Sequence, residues 1–228
     1  MKQIALDIGL ACVPSFSNYL AGPNEPALSH LQLWAGSALR SPVPTYLWGP
    51  TGSGKSHLLR AAAQSLRDDG ARLGWLDASV LEPAPFDDAW VAVFMDDCHL
   101  YTAVQQHAAF NWFVNAVNAA DGRPRGVLAA GLLPPADLAL REDLRTRLGW
   151  GHVFALQSLS DAQRRAVLRR QADERGLLLG DEVMDFILKR FARDLTHLVQ
   201  LLDQLDHHSL QTQRPITIAL VKSMLEAS

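Results

Sequence analysis

The stretch "VPTYLWGPTGSGKSHLLRAAAQSLRDDG" (43–70) decides the fold. Its opening, "VPTYLWG" (43–49), is a short apolar run ending in glycine, the pattern of a buried strand. Residues 55–70 read as a helix that Gly70 stops. Between them "GPTGSGKS" (49–56) matches G-x-x-x-x-G-K-[ST] at every fixed position, after a strand and opening a helix, where phosphate chemistry needs it. The glycines let backbone N–H groups approach phosphate oxygens, and the helix N-terminus adds partial positive charge. Lys55 can bridge the outer phosphates and Ser56 can ligate Mg²⁺. The expected ligand is ATP or ADP with Mg²⁺, contacted by Gly49, Pro50, Thr51, Gly52, Ser53, Gly54, Lys55, Ser56 and His57.

Working outward, "ARLGWLDA" (71–78) reads as a second strand and "AWVAVFMDD" (89–97) as a third, nearly all apolar until two acids end it. Such runs suit central parallel strands covered on both faces. An acid at the end of a strand neighbouring the phosphate loop helps hold Mg²⁺, which assigns Asp96, with Ser56, to the metal. Asp97 is then expected to activate the attacking water. A helix over 105–120 and strands at 125–131 and 152–156 complete an alternating pattern, which predicts a doubly wound α/β sheet. Upstream, "PSFSNYLAGPNEP" (14–26) is turn-rich, and Leu28 to Leu39 reads as a helix.

After Ser158 the pattern changes to four helices with no strand between them. Ser160 starts the first as an N-cap, with Gln163 at capping-box spacing. The expected organisation is a short N-terminal segment (1–13), an α/β nucleotide-binding domain (14–157) and a small all-helical lid (158–228).

Composition narrows the function classes. A chain of 228 residues with 48% hydrophobic and 20% charged residues can bury a packed core. Its net charge of −3 argues against a protein living mainly on DNA phosphate contacts. Cys12 and Cys98 stand far apart with no ligand spacing and read as ordinary thiols of a reducing compartment. No apolar run approaches the roughly 20 residues of a membrane span, and the N-terminus lacks a secretory apolar core, so a cytoplasmic location is expected.

The phosphate loop, the acid-ended strand, "REDLRTRLGWG" (141–151) and the helical tail together resemble the AAA+ domain of the bacterial replication initiator DnaA. "PSFSNYLAGPNEPAL" is similar to the segment that leads into that domain, and "QRPITIALVKSML" to its ending. "TRLGWG" looks like the box carrying the inter-subunit arginine finger, which the resemblance places on Arg147. The match runs from about residue 14 to 227. The initiator continues into a helix-turn-helix domain, whereas this sequence stops at Ser228, so any DNA contact is expected to be indirect or weak. In layout the chain resembles the Hda family, regulatory inactivators of DnaA. That family carries an N-terminal motif of the type Q-L-x-L-x-L that binds the sliding clamp, the β subunit of DNA polymerase III, and "QIALDI" (3–8) is similar. The resemblance assigns Gln3, Ile4, Leu6 and Ile8 to the clamp, with Asp7 as a departure that lowers affinity.

Two further departures concern catalysis. The polar sensor before Pro-Pro is replaced by Leu132 and Leu133 in "AAGLLPPADL", and the lid position expected to hold a sensor Arg holds Thr196. Arg193 lies three residues earlier, about 300° around a helix. Loss of an arginine near transition-state charge can lower hydrolysis by about 10³–10⁵, so weak or absent intrinsic ATPase is expected, with nucleotide, chiefly ADP, as a structural ligand. The resemblance therefore implies a negative regulator of replication initiation that promotes hydrolysis of DnaA-bound ATP, with a homodimer as a possible form. The alternatives are an AAA+ helicase loader or initiator paralogue acting on DNA, and a small P-loop kinase, which would need a lid inserted within the α/β unit.

Overall fold

The computed structural model describes residues 13–38, 40–119, 121–190, 195–212 and 216–226. It contains two compact units, one of Pro14–Ser158 and one that holds the chain from Leu159 onward.

In the first unit five strands form one sheet: β1 (Thr45–Trp48), β2 (Arg72–Leu76), β3 (Trp90–Met95), β4 (Gly126–Gly131) and β5 (His152–Ala155). Their order is β2-β3-β4-β1-β5 and every pairing is parallel. Five helices are interleaved or follow: α1 (Glu25–Gly36), α2 (Lys55–Asp68), α3 (Ala103–Val117) and α4 (Glu142–Leu148) here, then α5 (Asp161–Glu174) in the second unit. The near-continuous apolar strands are apolar because both faces are covered. Phe94, Leu128 and Ala130 pack with Leu31, Trp34, Leu58 and Leu59 on one face. Val93, Met95, Val127 and Ala129 pack with Trp112, Phe113, Leu144 and Leu148 on the other. The edge strand β5 is largely exposed.

Local differences from expectation have local causes. Helix α1 starts at Glu25 rather than Leu28 because Pro26 sits in its first turn, where a missing N–H costs nothing. Helix α3 starts at Ala103 because Thr102 caps it: the Gln105 backbone N–H donates to Thr102, and the Gln105 side chain accepts from the Thr102 N–H at 2.8 Å. Gly70 follows α2 at φ +80°, a left-handed terminator.

The second unit adds α6 (Asp181–Arg190), α7 (Leu195–Thr212) and α8 (Ile218–Glu226). Ser160 and Gln163 form the expected capping box on α5. Leu168, Ala172, Met184, Ile187, Leu202, Leu205 and Val221 make its core. Among the described residues no helix is long and apolar enough to cross a membrane. Cys98 is fully buried, and burial pushes its thiol up to about 12, which leaves it unreactive. Cys12, Arg193, the Thr196 side chain and the whole 3–8 motif (Gln3, Ile4, Leu6, Ile8) lie outside what is described.

Candidate phosphate site and arginine surface

Because the sheet is parallel, β1, β3 and β4 deliver Gly49, Asp96 and Leu132 to the same end. The order reverses at β1, which leaves a crevice there. The loop at 49–54 accepts no side chain at two points. A Cβ on Gly49, at φ +151°, would stand 2.3 Å from the Leu156 carbonyl oxygen, and one on Gly54, at φ +91°, would stand 2.6 Å from the Tyr19 ring. Pro50 and Thr51 are exposed, Gly52 is half-buried, and the Ser53 N–H is taken by the Pro50 carbonyl at 3.2 Å. Leu58 N donates to Gly54 O at 3.0 Å, which leaves the N–H groups of Lys55, Ser56 and His57 without intrahelical acceptors.

Lys55 is buried and folds back, donating to the carbonyls of Gly49 at 2.8 Å and Pro50 at 3.0 Å. Burial lowers its pKa, against the opposing pull of Asp97 and Asp96. The Ser53 Oγ is buried with no hydrogen-bond partner among the described residues. An orphaned hydroxyl, three free N–H groups and an ammonium held only by carbonyls are a donor set that fits a phosphate chain. His57 adds only its backbone, since its ring meets the Ser15 carbonyl at 3.0 Å and tilts against Tyr19.

Asp96 is 2% exposed, and burial raises its pKa; hydrogen bonds from Ser56 and from the Asp97 N–H, the latter at 3.0 Å, pull it down again. The Ser56–Asp96 pair is the expected Mg²⁺ position. Among the described residues no group of three or more His, Cys, Asp or Glu could hold a metal, so an ion there would also need nucleotide oxygens. Asp97 is the only described non-glycine residue with positive φ (50°), the kind of strained backbone found at functional sites. It turns the chain so that His99 follows, with a buried Nδ1 that has no partner among the described residues. Leu132 and Leu133 are partly exposed at the end of β4, so that strand end presents no polar side chain there.

Two residues not assigned a role from sequence hold the loop from upstream. The Tyr19 hydroxyl donates to the Ser53 carbonyl at 3.3 Å and accepts from Asn24 at 3.1 Å. Asn24, 2% exposed, also clasps both backbone groups of Gln157, donating to its O at 3.0 Å and accepting from its N–H at 2.8 Å. An aromatic residue in a polar, turn-rich segment was the available signal.

Arg147 is on α4, apart from these groups. Its Nη1 donates to the Asp143 carbonyl at 2.8 Å, and its guanidinium lies over the rings of Phe110 (4.8 Å) and Trp150 (5.2 Å). The neighbouring Arg141 also lies over Phe110 at 4.8 Å, but the Asp143 carboxylate takes it through two bonds of 2.6 Å. Those bonds hold the Asp143 carboxyl below its ordinary range.

Residues 161–225 match the family model "Hda, lid domain". The fold is similar to domain III of the Thermotoga maritima replication initiation protein DnaA, at 17% identity and TM-score 0.75, over 95% of this chain and 97% of that one. AMPPCP-bound DnaA from Aquifex aeolicus matches at 18% identity and TM-score 0.63, over 84% and 64% of the two chains. The Thermotoga maritima RuvB Holliday junction branch migration motor matches at 16% identity and TM-score 0.61, over 89% and 68%.

Proposed function

We propose, from the match to the Hda lid model over residues 161–225 and the DnaA-like fold ahead of it, that the chain is a DnaA-related AAA+ protein and a negative regulator of replication initiation. It binds the DNA-loaded sliding clamp through Gln3, Ile4, Leu6 and Ile8 and engages DnaA through its AAA+ face. Arg147 enters the nucleotide site of DnaA and promotes hydrolysis there. The observation that carries the reading is the lid match, because that match names the inactivator and not the initiator.

The phosphate loop supports adenine-nucleotide binding, and the AMPPCP-bound relative makes that nucleotide the reference ligand. When bound, the nucleotide with Mg²⁺ supplies the charge that the loop is built to hold. Lys55 and the helix-start N–H groups would orient the phosphates, Ser56 and Asp96 would hold the cation, and Asp97 would activate a water. Apolar Leu132 and Leu133 at the sensor position support weak turnover in this chain, with ADP as a structural ligand and catalysis exported through Arg147.

The DNA-acting alternative finds less support. The arginines of α5 are occupied: Arg164 pairs with Asp161, Arg165 with Asp181 and Asp185, Arg169 with Asp181, and Arg170 with Glu174. A basic face neutralised internally has little charge left for phosphates.

The test is hydrolysis of DnaA-bound ATP in the presence of clamp loaded on DNA. Wild type is expected to accelerate it and Arg147→Ala is not. Gln3→Ala/Leu6→Ala is expected to lose clamp affinity; unchanged affinity removes the claim for residues 3–8. Robust stand-alone ATP turnover, lost on Lys55→Ala, would overturn the assignment of nucleotide as a structural ligand.

A further inference from the structure

We infer that Phe110 and Trp150 are positioning residues for Arg147, holding its guanidinium pre-aimed, with no carboxylate hydrogen-bonded to it among the described residues, for the anionic nucleotide of a partner subunit. The inference rests on the reading that Arg147 acts in trans.

Arginine is a costly choice for work at a surface, since a free side chain carries about 2 kcal/mol of rotamer entropy. Here much of that freedom is already removed. The guanidinium lies over two aromatic rings, at 4.8 and 5.2 Å from their centroids, and one N–H is tied to the carbonyl one helical turn back. The two kinds of contact do not compete. Stacking uses the π face of the guanidinium, whereas its five N–H donors lie in the plane around the edge. Among the described residues the Asp143 carbonyl is the one hydrogen-bond acceptor Arg147 meets, so most of the donor edge stays open.

The platform itself is anchored. Phe110 is partly buried against the core face that contains Trp112 and Phe113. Trp150 is 60% exposed yet stands edge-on to the buried Phe113, with centroids 6.4 Å apart and planes at 82°. A tryptophan this exposed, fixed at one edge and covered by a cation, is arranged for recognition more than for burial.

Charge is also distributed with a purpose. Arg141 shares the Phe110 ring at the same 4.8 Å, but the Asp143 carboxylate neutralises it bidentately. Arg147 receives only a backbone carbonyl from the same residue. The Asp143 carboxylate thus hydrogen-bonds the first guanidinium and acts on the second only through space. A guanidinium whose donor fork meets no carboxylate fits phosphate oxygens bidentately, as a lysine could not.

The experiment measures hydrolysis of DnaA-bound ATP against concentration of this chain, with clamp loaded on DNA, and separates maximal rate from half-maximal concentration. Phe110→Leu and Trp150→Leu keep apolar bulk and remove the ring quadrupole. Each is expected to lower the maximal rate about 2- to 30-fold, the range that cation–π contacts span, with little change in half-maximal concentration. Phe110→Tyr and Trp150→Phe restore a ring and are expected to recover most of the rate. All variants are first matched to wild type in nucleotide affinity and unfolding midpoint, so that a folding defect is excluded. A raised half-maximal concentration at full maximal rate would make Trp150 a docking contact and overturn the inference. So would equal losses in the leucine and aromatic variants. If Arg147→Ala stimulates as well as wild type, the trans reading fails first. If Arg147→Ala is inactive while both leucine variants keep full rate, only the positioning role fails.

Discussion

Asn24→Ala should cost the α/β unit about 3 kcal/mol, and the structure says why. The side chain is 2% exposed and makes three hydrogen bonds: two to the backbone of Gln157, at 2.8 and 3.0 Å, and one to the Tyr19 hydroxyl, at 3.1 Å. A typical intramolecular hydrogen bond contributes about 0.5–1.5 kcal/mol net, and more when its loss strands a buried group. Both bonds to Gln157 are part-buried while the residue itself is exposed, so the loss per bond falls near the middle of that range. Three such bonds and a small void sum to about 2–4 kcal/mol, or roughly 4–16 °C in melting temperature at about 2–4 °C per kcal/mol for a unit of this size. All six tryptophans (34, 48, 75, 90, 112 and 150) lie in the Pro14–Ser158 unit, so a urea titration followed by tryptophan emission reports on that unit alone. Asn24→Asp keeps the acceptor but turns the donor into a second acceptor facing the Gln157 carbonyl, and should be no better than alanine at neutral pH. Tyr19→Phe removes the hydroxyl that Asn24 donates to, so the double variant should fall short of additivity by about one bond. Strict additivity, or an Asn24→Ala loss below about 1 kcal/mol, would refute the clasp.

Three further outcomes follow from the same geometry. Lys55→Ala should weaken ADP and ATP binding by about 10- to 150-fold, the worth of charge-assisted bonds to phosphate, in a fluorescent-nucleotide titration; unchanged affinity would remove the loop from the nucleotide site. Gly54→Ala should destabilise the unit by about 1–3 kcal/mol through its φ of +91°, with an added clash at 2.6 Å from Tyr19. A second change, Tyr19→Ala, should then relieve the clash but not the strain, so full rescue would contradict the conformational part. Burial lowers the pKa of His30 and His57, so both bind protons less readily folded than unfolded. Their stability contribution is complete above about pH 6.5 and is lost as pH falls from there toward their folded values. Asp96, pushed up by burial, acts in the opposite sense at lower pH. A melting temperature that falls from pH 7.5 to 5.5 in wild type and falls less in His57→Gln is the expected result; identical slopes would exclude the histidine.

The sheet was legible because each strand announces itself by an apolar run too short for a helix, with Gly49 and the Asp96–Asp97 pair marking the strand ends where a parallel sheet puts its ligands. Helix starts were less legible, since Pro26 and Thr102 act through single-residue stereochemistry that apolar spacing does not encode. Tyr19 and Asn24 escaped for another reason: their partners Ser53 and Gln157 are remote in sequence, and no local pattern reports a contact 34 or 133 residues away. The role proposed for Arg147 rests on the resemblance. Its aromatic surroundings come from α3 and from the residues after α4, and no spacing rule brings Phe110 to Arg147.

The two halves of the proposed chemistry make opposite demands on one fold, and the residues divide along that line. A phosphate loop that retains nucleotide needs donors more than a polar sensor, and here the ammonium of Lys55, the Ser53 hydroxyl that has no partner among the described residues and the N–H groups of the helix start supply them, while the residues after β4 are leucines. An arginine that completes another subunit's site needs a donor edge left open, and among the described residues Asp143 bonds Arg141 through its carboxylate and Arg147 only through its carbonyl. Exchanging these assignments would test the division directly. Leu132→Asn should raise stand-alone ATP turnover without altering stimulation of DnaA. Asp143→Ala should leave Arg141, already over the Phe110 ring, as a second unpaired guanidinium beside Arg147 and lower stimulation without altering ADP affinity. If both variants moved both activities together, retention and stimulation would belong to one coupled site instead of two.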